Sequence, residues 1–277
     1  MYKAKMKRKL FLRIVCLALS FMLGMTGCEK KNNKNSGDDF GKDEFVAVMG
    51  EAQGTASDKN SSGKKRVALT FDDGPHNVIT KKIVDELSKY GYNATFFLVG
   101  DRVDGSEYNG ASAVKYASEK GNEIAIHGYT HSKYYDTCSD NDYKNELQKT
   151  EAAIKNLLPS SSIRLMRPVG GKITDERVHN SKYSVIMWSV DSEDWKYKYY
   201  DNTDDATKRE YLETIVDNVM SCVEDGSIIL MHDIYLSTYD ATVIILKRLY
   251  EQGYEVVTVS ELLGSDMSAG RKYSRGN

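Results

Sequence analysis

From Arg66 to about Gly264, short apolar runs alternate with amphipathic stretches of helical period, and run after run stops at a carboxylate, an imidazole or a guanidinium. Alternating strand and helix signals make an α/β domain. The first run, Val67-Ala68-Leu69-Thr70-Phe71, is β-branched and apolar and ends at Asp72-Asp73-Gly74-Pro75. Asp-Gly and Gly-Pro are ordinary turn chemistry, and taken alone the stretch reads as a turn. Successive strand side chains point to opposite faces, however, so two adjacent carboxylates at a strand exit can take separate tasks, one toward a metal and one toward a reacting water.

The later runs follow the same rule. The pattern predicts strands over 94–99, over 123–126 ending at His127, over 163–166 ending at Arg167, over 183–190 ending at Asp191, over 227–231 ending at His232, and over 253–259. Helices are expected over 78–90, 112–119, 142–158, 174–180, 210–223 and 242–250. The total, about seven strands and as many helices, suits an incomplete, distorted (β/α) barrel better than a regular eightfold one. In barrels the strand C-termini form the active face.

His127-Gly128-Tyr129-Thr130-His131 sets two imidazoles four residues apart. With Asp73 they form a His, His, Asp set, which suits zinc or a neighbouring divalent transition metal, such as cobalt or nickel, and leaves positions open for water and substrate. Such a pair in isolation is as often two surface residues as a site. Here both lie at a strand end, in a chain with five histidines.

The N-terminus belongs to another part of the molecule. Lys3, Lys5, Lys7, Arg8 and Lys9 precede an apolar run from Ile14 to Leu23 that is too short for a membrane span and reads as a secretory signal. It closes on Met25-Thr26-Gly27-Cys28, which resembles a bacterial lipoprotein box with Met25 in place of the usual leucine, so residues 1–27 are expected to be removed and Cys28 lipidated. Residues 28–64 are polar apart from a cluster around Phe45–Met49 and read as a flexible tether. Residues 65–264 form the expected catalytic domain and 265–277 a flexible C-terminal tail. Without the six basic residues of the signal, 32 basic side chains face 40 acidic ones, a formal charge of −8 that argues against nucleic acid as a partner. Cys138 and Cys222 are left as buried thiols or one disulfide.

Five blocks in order are similar to those of the polysaccharide deacetylases, the carbohydrate esterase family 4 with its NodB homology domain. They are Thr70–Pro75, His127–His131, Arg167-Pro168-Val169-Gly170-Gly171, Asp191-Ser192-Glu193-Asp194-Trp195 and Leu230-Met231-His232-Asp233. The resemblance implies a distorted barrel that removes N- or O-linked acetyl groups from sugars with the help of one divalent metal. It places Asp73, His127 and His131 on the metal and Asp72 as the base that takes a proton from the attacking water. It puts the Gly170 N–H on the developing oxyanion, and makes His232 the acid oriented by Asp194, with Asp191 as the alternative. Arg167 would hold Asp72 charged and in place. Trp195 and Leu230 would wall a groove for the acetyl methyl, beside an aromatic loop led by Tyr197.

Three positions depart from the family pattern. Val169 stands where proline is usual, Gly170 where many members carry an aromatic residue, and Gly128 where Ser or Thr usually follows the first histidine. The expected substrate is N-acetylated cell-wall glycan, peptidoglycan N-acetylglucosamine or N-acetylmuramic acid, met by a monomer held to the membrane through a lipid on Cys28. Chitooligosaccharide or acetylated xylan is the alternative within the same chemistry. A glycan-binding lipoprotein without catalysis is the alternative outside it.

Overall fold

In the computed structural model, which describes residues 63–105 and 110–276, the sheet is built from parallel strands linked by helices. These residues belong to the unit Asn60–Asn277. The signal, Cys28 and the expected tether up to residue 62 lie outside them. The strands are β1 (Lys65–Asp72), β2 (Thr95–Leu98), β3 (Glu123–Ile126), β4 (Leu165–Met166), β5 (Ser184–Ile186), β6 (Val190–Asp191), β7 (Ile228–His232), β8 (Tyr254–Val256) and β9 (Lys272–Tyr273). The helices are α1 (Ile79–Lys89), α2 (Gly100–Asp104), α3 (Ala111–Glu119), α4 (Asp140–Leu157), α5 (Asp175–His179), α6 (Asp205–Met220), α7 (Leu236–Glu251) and α8 (Val259–Leu263). Among the described residues no helix is long and apolar enough to cross a membrane.

Local sequence explains most of these elements. In α1 the buried Ile79, Ile83, Val84 and Leu87 recur at helical spacing. Its first turn is capped by the His76 ring, whose Nδ1 accepts from the amides of Val78 and Ile79. Helix α4 begins where Ser139 accepts from the Asp142 amide, with Asp140 and Asp142 in the first turn, and it stops before Pro159.

The order β6-β7-β1-β2-β3-β4-β5-β9, with β8 also on β1, explains the curvature. β5 and β6 stand near opposite ends of that order, yet only residues 187–189 join them. Six strand spacings of about 4.8 Å are about 29 Å laid flat, whereas the link from Ile186 to Val190 reaches at most about 14 Å. The sheet must therefore curl until its ends approach each other. This is the incomplete barrel.

Two expectations are corrected here. The single strand over 183–190 is two strands in different places, because the chain leaves one end of the sheet and enters the other within it. The expected flexible tail contains β9, which pairs with β5, and Gly276 donates to the Gly226 carbonyl at 2.8 Å, so this segment helps bridge the opening. With these additions the strand count is nine among the described residues, against about seven expected. Cys138 and Cys222 are both free, half-buried and exposed respectively, so no disulfide joins them.

Alternation sorts the core. Val67, Leu69 and Phe71 of β1 pack outward with Ile83, Leu87, Ile229 and Met231, between sheet and helices. Ala68 packs inward with Phe97, Ala125, Leu165, Ile186 and Ile228. Stepping by two along each strand from these inward residues leads to Asp72, His127, Arg167 and His232. Four strand-end side chains thus form one inward-facing layer at the mouth of the barrel.

Candidate active site

Asp72 is the last residue of β1 and is paired in register with His232 of β7. It is 3% exposed, and its Oδ1 accepts from Arg167 Nη1 at 2.7 Å. Arg167 is fully buried. Three further N–H groups donate to Thr70 Oγ1 and to the carbonyls of Ile186 and Met187, while its guanidinium lies 4.2 Å from the Phe97 ring centroid. A planar cation with this many fixed partners cannot rotate away, so the position of Asp72 is fixed with it. Burial lowers the pKa of Arg167 from its ordinary value, and Asp72 opposes that effect.

Asp73 does not continue the alternation. Its φ of 71° lies in the left-handed region, which turns its carboxylate toward the same centre as that of Asp72 instead of the opposite face. For a non-glycine residue this costs on the order of 1–2 kcal/mol. Its Oδ1 lies 2.9 Å from His131 Nε2 and 3.4 Å from His127 Nε2, and His127 Nε2 is 3.7 Å from Asp72 Oδ2. Burial works against the charge on Asp73, but the two imidazoles outweigh it and hold the carboxyl well below the usual carboxylate range.

The three groups could hold a metal ion. One ligand atom from each of Asp73, His127 and His131 lies within 4.8 Å of the others. Asp73 Oδ1 is buried with no partner other than the two imidazoles, and a cation would satisfy all three groups at once. The Nδ1 of His127 lies 3.0 Å from the Arg167 carbonyl, so a proton on Nδ1 leaves the Nε2 lone pair facing the other two groups.

The turn carrying both histidines is held from outside. Buried Glu146 of α4 accepts from the Tyr129 and Thr130 amides at 2.7 and 2.9 Å and from the Thr130 hydroxyl. Gly128 has φ 104°, and a Cβ there would meet Tyr135 Oη at 2.8 Å. A Ser or Thr at this position would be strained and would force the Tyr135 side chain or the turn to shift.

On the opposite side of the mouth, His232 Nδ1 lies 2.7 Å from Asp194 Oδ1. Asp194 also accepts from the amides of His232 and Trp195 and from the Thr238 hydroxyl. Burial would lower the His232 pKa, but Asp194 more than compensates, and the ring is pushed up to about 9. Asp191 faces the same interior, yet its Oδ1 accepts from the Glu193 amide. Of the two carboxylates, only Asp194 bonds the imidazole.

Leu230 precedes His232 by two and shares its face, 4% exposed. Trp195 is exposed. Tyr197 is half-buried and packs edge-on against Tyr211 of α6, so it braces the loop. Gly170 is exposed at φ 60°, in a turn where the Gly171 and Lys172 amides bond back to the Pro168 and Val169 carbonyls.

Sequence reading assigned no role to Thr70, Glu146, Thr238 or Asp233. Thr70 could have been found, since it stands two before Asp72 on the same strand face. Asp233 is fully buried beneath Gly74, accepts from the Thr80 hydroxyl, and is pushed up to about 7 by burial. A Cβ on Gly74 would come within 2.3 Å of its Oδ1.

The polysaccharide deacetylase family model matches residues 59–184. A peptidoglycan-N-acetylglucosamine deacetylase of Bacillus cereus is 33% identical over 210 residues, covering 73% of this chain and 90% of the relative. The chain belongs to the polysaccharide deacetylase family. Peptidoglycan-N-acetylmuramic acid deacetylase PdaC of Bacillus subtilis is 39% identical over 201 residues, 72% of this chain and 39% of that protein. Its solved structure matches this family member with a TM-score of 0.63 at 37% identity, covering 72% of this chain and 90% of that one. A CE4 family pseudoenzyme from Bacillus anthracis aligns at 28% identity with a TM-score of 0.62, covering 77% of this chain and 68% of that one. The chain spans about two fifths of the length of the first curated relatives it matches.

Proposed function

We propose that this chain is a metal-dependent deacetylase of N-acetylated cell-wall glycan, acting on the N-acetylglucosamine or N-acetylmuramic acid of peptidoglycan. The observation that carries the reading is the juxtaposition of two differently supported carboxylates. Asp73 faces two imidazoles with its buried Oδ1, and Asp72 is held beside them by a buried arginine. A pseudoenzyme within the family means that membership alone does not establish catalysis. The full set of groups in this chain favours catalysis over a glycan-binding role.

Asp73, His127 and His131 would hold the metal, zinc in first place with cobalt or nickel as alternatives. When bound, such an ion supplies an acidified water and a polarised acetyl carbonyl. Asp72 removes the proton from the water as its oxygen bonds to the acetyl carbon. The Gly170 N–H is offered to the carbonyl oxygen as it becomes negative, an interaction typically worth about 3 kcal/mol. His232, kept protonated by Asp194, gives its proton to the sugar nitrogen as the carbon–nitrogen bond breaks, leaving acetate and a free amine. Trp195 and Leu230 wall the space around the acetyl methyl. An exported chain anchored through a lipid on Cys28, with residues 28–64 as tether, would keep this site outside the membrane and facing the wall, where the named relatives' substrates are.

Acetate release by the metal-loaded chain from peptidoglycan, chitooligosaccharides and acetylated xylan tests the proposal. Release from peptidoglycan that chelation abolishes is the expected result. Release from xylan alone would move the substrate, and a folded, metal-loaded chain that releases none would favour the binding role.

A further inference from the structure

The segment after His131 and the segment after Arg167 are zipped together at the rim of the site. Tyr135 donates its amide to the Lys172 carbonyl at 3.0 Å and forms a bridge with Ile173. This places Tyr134, three residues beyond a metal-ligand candidate, against the bare backbone of Gly170. A Cβ on Gly170 would lie 3.3 Å from Tyr134 Cε1, so the ring occupies space that a side chain at 170 would otherwise claim. Tyr134 is 47% exposed. Lys172, two residues beyond Gly170, sets its ammonium 4.3 Å from the Tyr134 centroid.

That ammonium lacks an opposite charge. Among the described residues no carboxylate lies within ion-pair distance of Lys172, whereas Lys133 has Asp142 at 3.7 Å and Lys196, over the Trp195 ring on the other wall, has Glu193 at 2.5 Å. The positive charge is therefore one-sided, on the Gly170 rim, in a chain whose net charge is −2. A cation over an aromatic face keeps its other donors free for an acceptor from solvent.

We infer that Tyr134 and Lys172 form a subsite for a carboxylate carried by the sugar itself, so that the preferred substrate is an N-acetylated amino sugar with an acidic ether substituent. This rests on the deacetylase reading and narrows it. With the acetyl carbonyl oxygen at the Gly170 N–H, a substituent on a ring carbon next to the one bearing the acetamido group would lie close to this rim. A lactyl ether there, as in N-acetylmuramic acid, would bring a carboxylate that Lys172 can meet. Unsubstituted N-acetylglucosamine offers only a hydroxyl.

The test compares two soluble glycans on the full chain loaded with zinc: an N-acetylmuramic acid-containing oligosaccharide and a chitooligosaccharide of equal length. Calorimetric Kd and the KM for acetate release are measured for the wild type, Lys172→Met and Lys172→Arg. An exposed ion pair is worth up to ~1 kcal/mol, so Lys172→Met is expected to reduce the preference for the acidic glycan about fivefold in both Kd and KM. Lys172→Arg should restore it, and added salt should erase it. A Kd ratio between the two glycans that is unchanged in Lys172→Met overturns the subsite. Acetate release from neither glycan, with the Kd ratio shifting as stated, counts against the deacetylase reading and leaves the subsite standing.

Discussion

Replacing Asp194 by asparagine should move the titration of His232. In the folded chain this imidazole is pushed from 6.5 to about 9, burial opposing and Asp194 favouring the charged ring. At about 1.36 kcal/mol per pKa unit the shift corresponds to about 3 kcal/mol of preference for imidazolium. Because the folded pKa is the higher one, this contribution to stability is complete below about pH 6.5 and is lost as pH rises through about 9. Asparagine removes the charge and turns an amide toward the donors of Thr238, Trp195 and His232 itself, while burial remains. The Asp73 and Asp72 charges, which also favour imidazolium, remain as well, so the His232 pKa should fall from about 9 toward its ordinary 6.5. At pH 8 the protonated fraction falls from about 0.9 to as little as about 0.03, a loss of the general acid of up to roughly thirtyfold, while at pH 6 the loss from this cause is under about twofold. An NMR titration of His232 in the metal-free chain reads the pKa directly, and the alkaline limb of kcat/KM should move down with it. Asp191→Asn, whose carboxylate bonds the Glu193 amide, should move it far less. An unmoved limb in Asp194→Asn, or an equal shift in Asp191→Asn, would refute this account of the acid.

Glu146→Ala strands the Tyr129 and Thr130 amides; unfolding should show about 1–3 kcal/mol of lost stability, and zinc titration a metal affinity down by about 10–100-fold. Glu146→Gln should recover part of both. Gly128→Ala forces a Cβ toward Tyr135 at φ 104° and should destabilise the fold by about 1–3 kcal/mol in thermal unfolding. Chelation should abolish acetate release, and zinc, cobalt or nickel should restore it in the wild type but not in His131→Ala, as read by acetate assay and metal analysis.

Much of the site was readable because β-strand alternation is local. A polar residue at the end of an apolar run inherits the face of the residue two before it, and that alone puts Asp72, His127, Arg167 and His232 in one layer. Asp73 broke the rule because β1 ends before it and its backbone enters the left-handed region, which no periodicity announces. The choice between Asp191 and Asp194 depended on which carboxylate a loop would turn back onto His232. Glu146 was silent because its partners are backbone amides from a distant turn, and such contacts leave no spacing in the chain. The same limit hid β9 and the break between β5 and β6, since both follow from where the curled sheet brings its ends, a property of the whole barrel.

The separation of tasks between the two adjacent carboxylates is tested most directly by measuring bound zinc and acetate release together in Asp72→Asn and Asp73→Asn. Asp72→Asn should keep about one zinc per chain and lose acetate release by about 10²–10⁴-fold, the usual contribution of a general base. Asp73→Asn should lose both metal and activity. Full activity in Asp72→Asn, or undiminished zinc in Asp73→Asn, would contradict the account.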